Sequence, residues 1–512
     1  MITRIYSAAL QGVEAREVEV EVNARHSDKP RTIIVGLPDA AVRESAERVH
    51  SALTSSALRK ENGVHVINIA PADLKKEGPS FDLPIALAMA ACGERTPLPD
   101  LNRHAVVGEL ALDGTVRPVK GVLSIALEAK RRGRNRLLLP SANAPEAAVI
   151  DGIEIYPIDT LYQAWHFLTG KELLAPYHLD RRAYFAAQRS YDVDFEDVKG
   201  QHQVKRALEV SVAGGHNILM VGPPGTGKSM LAKRLPTIIP NMSEDEAIET
   251  TQIHSIAGFL DNKRAFLTTR PFRAPHHTIS DAGLLGGGSN PGPGEVSLAH
   301  NGVLFLDELP EFRRQTLEVM RQPLEDGHVT ISRAAGSLTF PSNFMLIAAM
   351  NPCPCGYFGD PKRLCRCNPR KIENYRQRIS GPLLDRIDLH VEVPLVDYRA
   401  LSSTAKGESS ATIRQRVLAA RQIQIERFRD FPGLATNSSM PSKLVREHCQ
   451  LDRESSAFLE QAMEHLNFSA RAHDRILKVA RTLADLEAEQ HIRSPHILEA
   501  IQYRSLDRTL HL

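Results

Sequence analysis

The sequence predicts an α/β protein whose core is a parallel sheet, with a smaller α/β unit before it and a helical segment after it. Three observations predict this. The apolar runs Ile218–Val221, Val303–Leu306 and 344–349 each end in a glycine-rich or polar turn, as strands buried on both faces do. Residues 1 to about 175 alternate strand-like runs (32–35, 64–69) with helical ones (40–54, 83–91). Residues 413–508 repeat apolar positions at helical spacing, as in 413–428 and 471–489. The expected division is 1–175, a charged and aromatic linker at 176–194, the parallel-sheet core at 195–400, and a helical lid at 401–512 that opens on a Ser/Thr/Gly-rich stretch.

The first core strand runs directly into Gly222-Pro223-Pro224-Gly225-Thr226-Gly227-Lys228-Ser229, a complete G-x-x-x-x-G-K-S sequence. A strand that delivers a glycine loop to a helix N-terminus aims several backbone N–H groups at one anion. Gly222, Gly225 and Gly227 let the backbone approach phosphates closely, Lys228 supplies a point charge at the β and γ oxygens, and Ser229 can ligate Mg²⁺. A nucleoside triphosphate with Mg²⁺ is the ligand this pattern predicts, and it is read as ATP.

The second core strand ends in Asp307-Glu308, about eighty residues beyond the glycine loop. Two carboxylates at the C-terminal edge of a strand lie where ligands of open α/β sheets gather. Asp307 is expected to hold the metal and Glu308 to orient the attacking water. The third strand ends at Asn351, whose amide suits a γ-phosphate sensor, although Asn-Pro is also an ordinary turn opener. Arg386, in Leu383-Leu384-Asp385-Arg386, has the guanidinium chemistry to neutralise transition-state charge; the alternative for it is a surface salt bridge.

Composition agrees with a multi-part machine working inside the cell. The 512 residues are 42% hydrophobic, enough for more than one core. The first twenty residues carry acidic positions and no long apolar run, so neither a signal peptide nor a membrane span is expected, and the cytoplasm is the expected compartment. The formal net charge of +2 gives no global grip on a polyanion, so any nucleic-acid contact must come from local patches.

Four of the six cysteines fall in one segment, Cys353-Pro-Cys355 and Cys365-Arg-Cys367. Two close thiolate pairs can satisfy a tetrahedral Zn²⁺, and a cytosolic setting argues against disulfides. One-residue spacing is tighter than the usual C-x₂₋₄-C knuckle, so structural zinc and reduced loop thiols both stand as readings. Cys92 and Cys449 read as isolated buried thiols.

Glycine loop, Asp307-Glu308, Asn351, the Arg386 block and Ser469-Ala470-Arg471 together resemble an AAA+ ATPase of the magnesium-chelatase-like branch, and the whole chain resembles the YifB/ComM family. That resemblance implies a homo-hexameric ATP-dependent DNA helicase, acting on single-stranded and branched DNA with recombination proteins as partners, and driving branch migration during homologous recombination and natural transformation. It implies that Arg386 is an arginine finger acting on a neighbouring subunit and Arg471 the sensor-2 arginine, with Arg378 or Arg475 as alternatives.

The N-terminal unit has its own resemblance. Lys75-Lys-Glu-Gly-Pro-Ser80 and Gly108-Glu-Leu-Ala-Leu-Asp-Gly-Thr-Val-Arg-Pro-Val119 resemble the proteolytic domain of Lon protease, with Ser80 at the nucleophile position. A Ser-Lys dyad needs a lysine to take the hydroxyl proton, and the matching position is Leu123, with Lys120 three residues earlier. A Lon-like fold without peptidase chemistry is expected, with Ser80 as a helix N-cap.

Two insertions in the core offer contacts to a substrate. One spans 257–300, with Arg270, Arg273 and the pair His276-His277; the other reads as a β-hairpin around Arg333. By similarity to pre-sensor hairpin ATPases both would face a ring's pore, where Arg270, Arg273 and Arg333 could meet phosphates; packing between subunits is the alternative. Two other functions remain in view: a chelatase-like remodeller of a partner protein, and an ATP-dependent protease, which Leu123 opposes.

Overall fold

The computed structural model describes residues 2–96, 98–181, 184, 191–260, 266–288, 292–333, 336–360, 363–396, 406–466 and 468–506. The chain forms two compact units. The first comprises 1–188 together with two later excursions, 243–268 and 332–340; the second comprises 189–242, 269–331 and 341–512.

The first unit is a mixed seven-stranded sheet with strands β1 (Ile2–Gln11), β2 (Glu14–His26), β3 (Arg31–Val35), β4 (Gly63–Ala70), β5 (His104–Val106), β6 (Arg136–Pro140) and β7 (Glu154–Ile158), in the order β3-β4-β2-β1-β5-β6-β7. In β2 the buried Val18, Val20 and Val22 alternate with Glu17, Glu19 and Glu21, the period-2 pattern of a strand with one covered face. Helix α1 (Ala40–Ser55) is capped by Asp39, whose carboxylate accepts the Val42 N–H at 2.8 Å. Helix α2 (Asp82–Gly93) is apolar all round and buried from Asp82 to Cys92, so it sits inside the unit.

Ser80 is not the cap that the sequence suggests. Pro79 opens a 3₁₀ turn, Pro79–Phe81, that runs straight into α2, so the cap positions fall on Gly78 and Phe81 and the Ser80 carbonyl accepts from Gly108 instead. Leu123, in helix α3 (Val122–Arg131), is fully buried. The excursion 243–268 carries the helix Glu244–Ala257, begun by a Ser243/Glu246 capping box, and this helix packs on α3. Ser255 Oγ accepts from Gly121 N–H at 2.9 Å and donates to Glu146 Oε1 at 2.5 Å, while Glu146 Oε1 also accepts from Leu123 N–H at 2.9 Å.

The second unit is built on helix α4 (His202–Gly214) and strands β8 (Ile218–Val221), β9 (Phe272–Arg273), β10 (Val303–Leu306), β13 (Met345–Met350) and β14 (Leu389–Glu392), while β11 (His328–Arg333) and β12 (Gly336–Pro341), between β10 and β13 in the chain, form the expected two-stranded hairpin, of which 332–340 group with the first unit. The sheet order is β9-β10-β13-β8-β14, all parallel. Every residue of β8 and β10 is buried, which is why their sequences read as unbroken apolar runs.

The C-terminal helices are α5 (Ser410–Arg427), α6 (Ser442–His448), α7 (Arg453–Leu466), α8 (Ala470–Leu486) and α9 (Ser494–Gln502). α8 buries Ile476, Leu477, Val479, Ala480, Leu483 and Ala484 along one stripe and continues the core of this unit. Among the described residues no helix is long and apolar enough to cross a membrane.

Candidate functional site

Parallel pairing decides which side chains meet. β13 lies between β10 and β8, with Val221 level with Met350 and Leu306 level with Ala348, so the three strands end side by side at one edge. The glycine loop leaves β8, Asn351 follows β13, and Asp307-Glu308 follow β10.

The loop is shaped by glycine where geometry demands it. Gly225 and Gly227 have φ of +81° and +87°, the left-handed region that costs other residues free energy. At Gly222 the constraint is space: a Cβ there would stand 2.3 Å from the Val393 carbonyl oxygen. Gly222 N–H donates to the Met350 carbonyl at 3.1 Å, tying the loop to the Asn351 strand.

Lys228 is buried, and its ammonium donates to the Gly222 carbonyl at 2.6 Å, the Pro223 carbonyl at 3.0 Å and Asn351 Oδ1 at 3.2 Å. Burial lowers its pKa, opposed by the nearby charges of Asp307 and Glu308. Ser229 Oγ donates to Asp307 Oδ2 at 2.5 Å. A hydroxyl and a carboxylate in contact form the hard oxygen donor set that Mg²⁺ prefers, so Ser229 and Asp307 fit that ion. Thr226 Oγ1 donates to the Pro223 carbonyl at 3.0 Å and closes the loop on itself.

Glu308 has φ of +52°, left-handed backbone in a residue that rarely adopts it. Its own N–H donates to Asp307 Oδ1 at 2.9 Å and its carbonyl accepts from Glu311 at 2.7 Å, which holds the turn. Its side chain is half-exposed and 3.3 Å from His277 Nδ1. Nothing in the sequence assigns His277 to this site; adjacent histidines carry no such signal, and only the fold brings position 277 to 308. Gln201, also left-handed at φ +51°, donates through Nε2 to the Thr226 carbonyl at 2.8 Å and the Pro394 carbonyl at 3.3 Å, a second loop support with no sequence signal.

The arginines divide. Arg386 is buried, donates to the Pro382 carbonyl at 2.5 Å and pairs with Glu325 of its own chain. Arg378 is half-exposed and donates to Glu311 Oε2 at 2.8 Å and the Pro310 carbonyl at 3.0 Å, three residues from Glu308. Arg475 pairs with Asp388, and Arg471 is exposed at the start of α8. Arg270 and Arg273 both have partners within the unit. Arg270 donates to the Pro240 and Asn301 carbonyls at 2.7 Å each, and Arg273 grips Glu295 through two bonds of 2.6 Å. Arg333 lies in β11 beside the turn 334–335; its side chain and that turn lie outside the described residues.

Cys353, Cys355, Cys365 and Cys367 come together, with all four sulfurs within 4.8 Å of one another. Backbone N–H groups of Tyr357 and Arg366 bring the Cys355 thiol down to about 6. Cys92 and Cys449 are buried, as expected of isolated thiols.

The glycine loop, the carboxylate pair and the polar residue at the end of the intervening strand define a P-loop nucleotide-binding core of AAA+ type. Models of the magnesium chelatase subunit ChlI match residues 194–401 and 18–143, and a model of the ChlI C-terminal part matches 407–504. The chain is 43% identical to the uncharacterized protein YifB of Escherichia coli (strain K12) over 99% of its length and 97% of that protein's. It is 43% identical to competence protein ComM of Haemophilus influenzae over 99% of its length and 98% of that protein's. Lon protease 2 of Thermus thermophilus matches only in part, at 32% identity over 24% of this chain and 16% of the protease. The chain belongs to the YifB/ComM family of magnesium-chelatase-like AAA+ proteins, for which ATPase activity with ATP and Mg²⁺ is the expected chemistry.

Proposed function

We propose that this protein is an ATP-driven DNA motor that works as a homo-hexamer and promotes branch migration during homologous recombination and natural transformation. The observation that carries the ATPase part is the convergence of Lys228 on Asn351 and of Ser229 on Asp307 at one sheet edge. The DNA part is supported by 43% identity, nearly end to end, with a protein named for competence.

In this reading Gly222 to Ser229 hold the triphosphate, Ser229 and Asp307 hold Mg²⁺, which would neutralise charge on the phosphate oxygens, and Glu308 accepts a proton from, or orients, the attacking water. Asn351 and Lys228 share a hydrogen bond whose partners both change when phosphate arrives. A finger from the neighbouring subunit completes the site. Arg386 must leave Glu325 and its buried seat to serve, whereas Arg378 already stands half-exposed beside the Glu308 turn, so both are tested. Arg471 is the sensor-2 arginine of this scheme, and phosphate contacts along a strand fall to the β11–β12 hairpin and Arg333 more than to Arg270 or Arg273.

The test is ATP hydrolysis with no DNA, single-stranded DNA and branched DNA, alongside junction migration. DNA should stimulate hydrolysis, and wild type but not Lys228→Ala should move a junction. In wild type mixed with a Lys228→Ala partner, Arg378→Ala or Arg386→Ala on the opposing subunit identifies the finger. A chain that stays monomeric with nucleotide and DNA present refutes the motor.

A second reading, a remodeller of a partner protein, is favoured by the chelatase-subunit models that together match most of the chain. Robust ATPase that ignores DNA and never moves a junction would support it. Casein degradation would point instead to a protease, which the buried Leu123 opposes.

A further inference from the structure

The sulfur separations in the cysteine cluster are those of metal ligands. Cys353 lies 3.4 Å from Cys355 and 3.7 Å from Cys365, and Cys355 lies 3.6 Å from Cys365. A tetrahedral tetrathiolate with Zn–S of about 2.3 Å sets its sulfurs about 3.8 Å apart, whereas a disulfide requires about 2.05 Å. All four cysteines are free thiols, so no internal cross-link competes for them.

The position of this cluster is what gives it consequence. It begins two residues after Asn351 and ends at Cys367, one residue before Asn368, which caps the helix Pro369–Arg376 by accepting the Lys371 N–H at 2.8 Å. That helix returns to where the segment began. The buried Tyr375 hydroxyl accepts the backbone N–H of Asn351, and Arg376 donates to the Pro352 carbonyl at 3.4 Å. Within the cluster, Gly356 packs on the glycine loop: with φ of +85°, a Cβ there would stand 2.5 Å from Pro224 Cδ. One segment therefore touches the sensor residue at both its ends and the phosphate loop at its middle.

We propose that Cys353, Cys355, Cys365 and Cys367 hold one Zn²⁺ as a tetrathiolate knuckle that positions Asn351 and the phosphate loop, so that metal occupancy sets the turnover of ATP more than its affinity. The proposal rests on the ATP-site reading of Lys228 and Asn351. Binding exchanges four S–H bonds for four Zn–S bonds and delivers up to four protons to solvent. Closing the loop through one ion fixes both of its ends and leaves the direct phosphate ligands of Gly222 to Ser229 in place. The cysteines are positioning residues here, acting through Asn351 and Pro224.

The experiment uses the full chain. Elemental analysis should find about one zinc per chain in wild type and in Lys228→Ala, and none in Cys365→Ser/Cys367→Ser. Co²⁺ exchanged into the protein should give the d–d and thiolate charge-transfer bands of a tetrahedral tetrathiolate. The double cysteine variant should lose kcat about 10- to 100-fold while its affinity for a fluorescent ATP analogue changes less than threefold. Gly356→Ala guards against misfolding: it should keep zinc yet lose kcat, because its methyl group meets Pro224 rather than the metal. Zinc absent from wild type overturns the site. Zinc present with unchanged kcat in both variants overturns the positioning role. If wild type hydrolyses no ATP at all, the ATP-site reading fails, while zinc content and cobalt spectra still decide the metal.

Discussion

Asp388 offers the sharpest test of how the sheet and the C-terminal helices are joined within the second unit. It precedes β14 and is buried, with Oδ2 accepting from His216 Nδ1 at 3.0 Å and Oδ1 paired with Arg475 of α8; His216 Nε2 continues the chain to Thr482 Oγ1 at 2.9 Å. Burial alone would raise the carboxyl pKa, but Arg475 and His216 hold it well below the carboxylate range. Removing one partner of a buried pair costs about 3–5 kcal/mol, and Arg475, 24% exposed, argues for the lower end, about 3 kcal/mol for Asp388→Asn. The chain folds as two units and its single tryptophan, Trp165, lies in the first, so a global fluorescence melt reports the wrong unit. Amide hydrogen exchange of β14 and α8 is the assay, and about 3 kcal/mol corresponds to about a hundredfold more opening. The sign with pH is fixed. A carboxyl whose folded pKa is depressed contributes stability above its unfolded value of about 3.8, and that contribution is lost as pH falls below it, so wild type should converge on Asp388→Asn only under acid. Adding Arg475→Met should recover part of the loss, since the partner charge is then gone too. Exchange in Asp388→Asn that matches wild type at neutral pH would refute the reasoning.

Three further outcomes are expected. Lys228→Ala should cut ATP hydrolysis by about 10²–10³, the usual effect of one lost transition-state donor, and Asn351→Ala should lower kcat with a smaller change in nucleotide affinity, both read by phosphate release and analogue binding. His277→Ala should reduce kcat while leaving analogue affinity near wild type, because the partner of His277 is Glu308, the residue read as orienting the attacking water. Glu146 is buried and its pKa is raised by that burial, so its folded form keeps a proton more tightly than the unfolded chain does. Its own contribution to stability is then fully present below about pH 4.5 and is lost as pH rises; Glu146→Gln still accepts from Leu123, and its advantage over wild type in hydrogen exchange of α3 should grow with pH above that point.

The second unit was legible wherever local pattern and chemistry coincide. Ile218–Val221 and Val303–Leu306 are short apolar runs bounded by turn residues, which suits doubly covered strands, and the glycine loop announces its own conformation. What sequence could not supply is sheet order. The contacts Lys228–Asn351 and Ser229–Asp307 exist because β13 inserts between β8 and β10, a fact of topology with no local signature. The same gap explains the arginines. Arg270, Arg273 and Arg386 resemble phosphate ligands by type, yet carbonyls, Glu295 and Glu325 claim them from 22 to 61 residues away in the chain. Helix Glu244–Ala257 falls by chain position within the core, and Ser255 against Gly121 and Glu146 shows that it folds with the first unit.

Two of the four described non-glycine residues of the second unit with left-handed backbone stand at the edge where β8, β10 and β13 end, the other two being Asn301 and Ala488. Glu308 and Gln201 both adopt left-handed backbone, a conformation that costs roughly 1–3 kcal/mol for such residues when imposed by surroundings. Both act on the glycine loop or the carboxylate pair: Gln201 by bonding to Thr226, Glu308 by turning its side chain toward His277. Lys228 adds a buried ammonium whose partners are loop carbonyls and an amide rather than a carboxylate. A fold selected for stability alone would relax each of these with an ordinary turn residue or a paired charge. Their persistence at the one edge where three parallel strands end argues that this edge is held ready for a ligand that supplies the missing negative charge, and a polyphosphate is the ligand whose charge and shape answer all three.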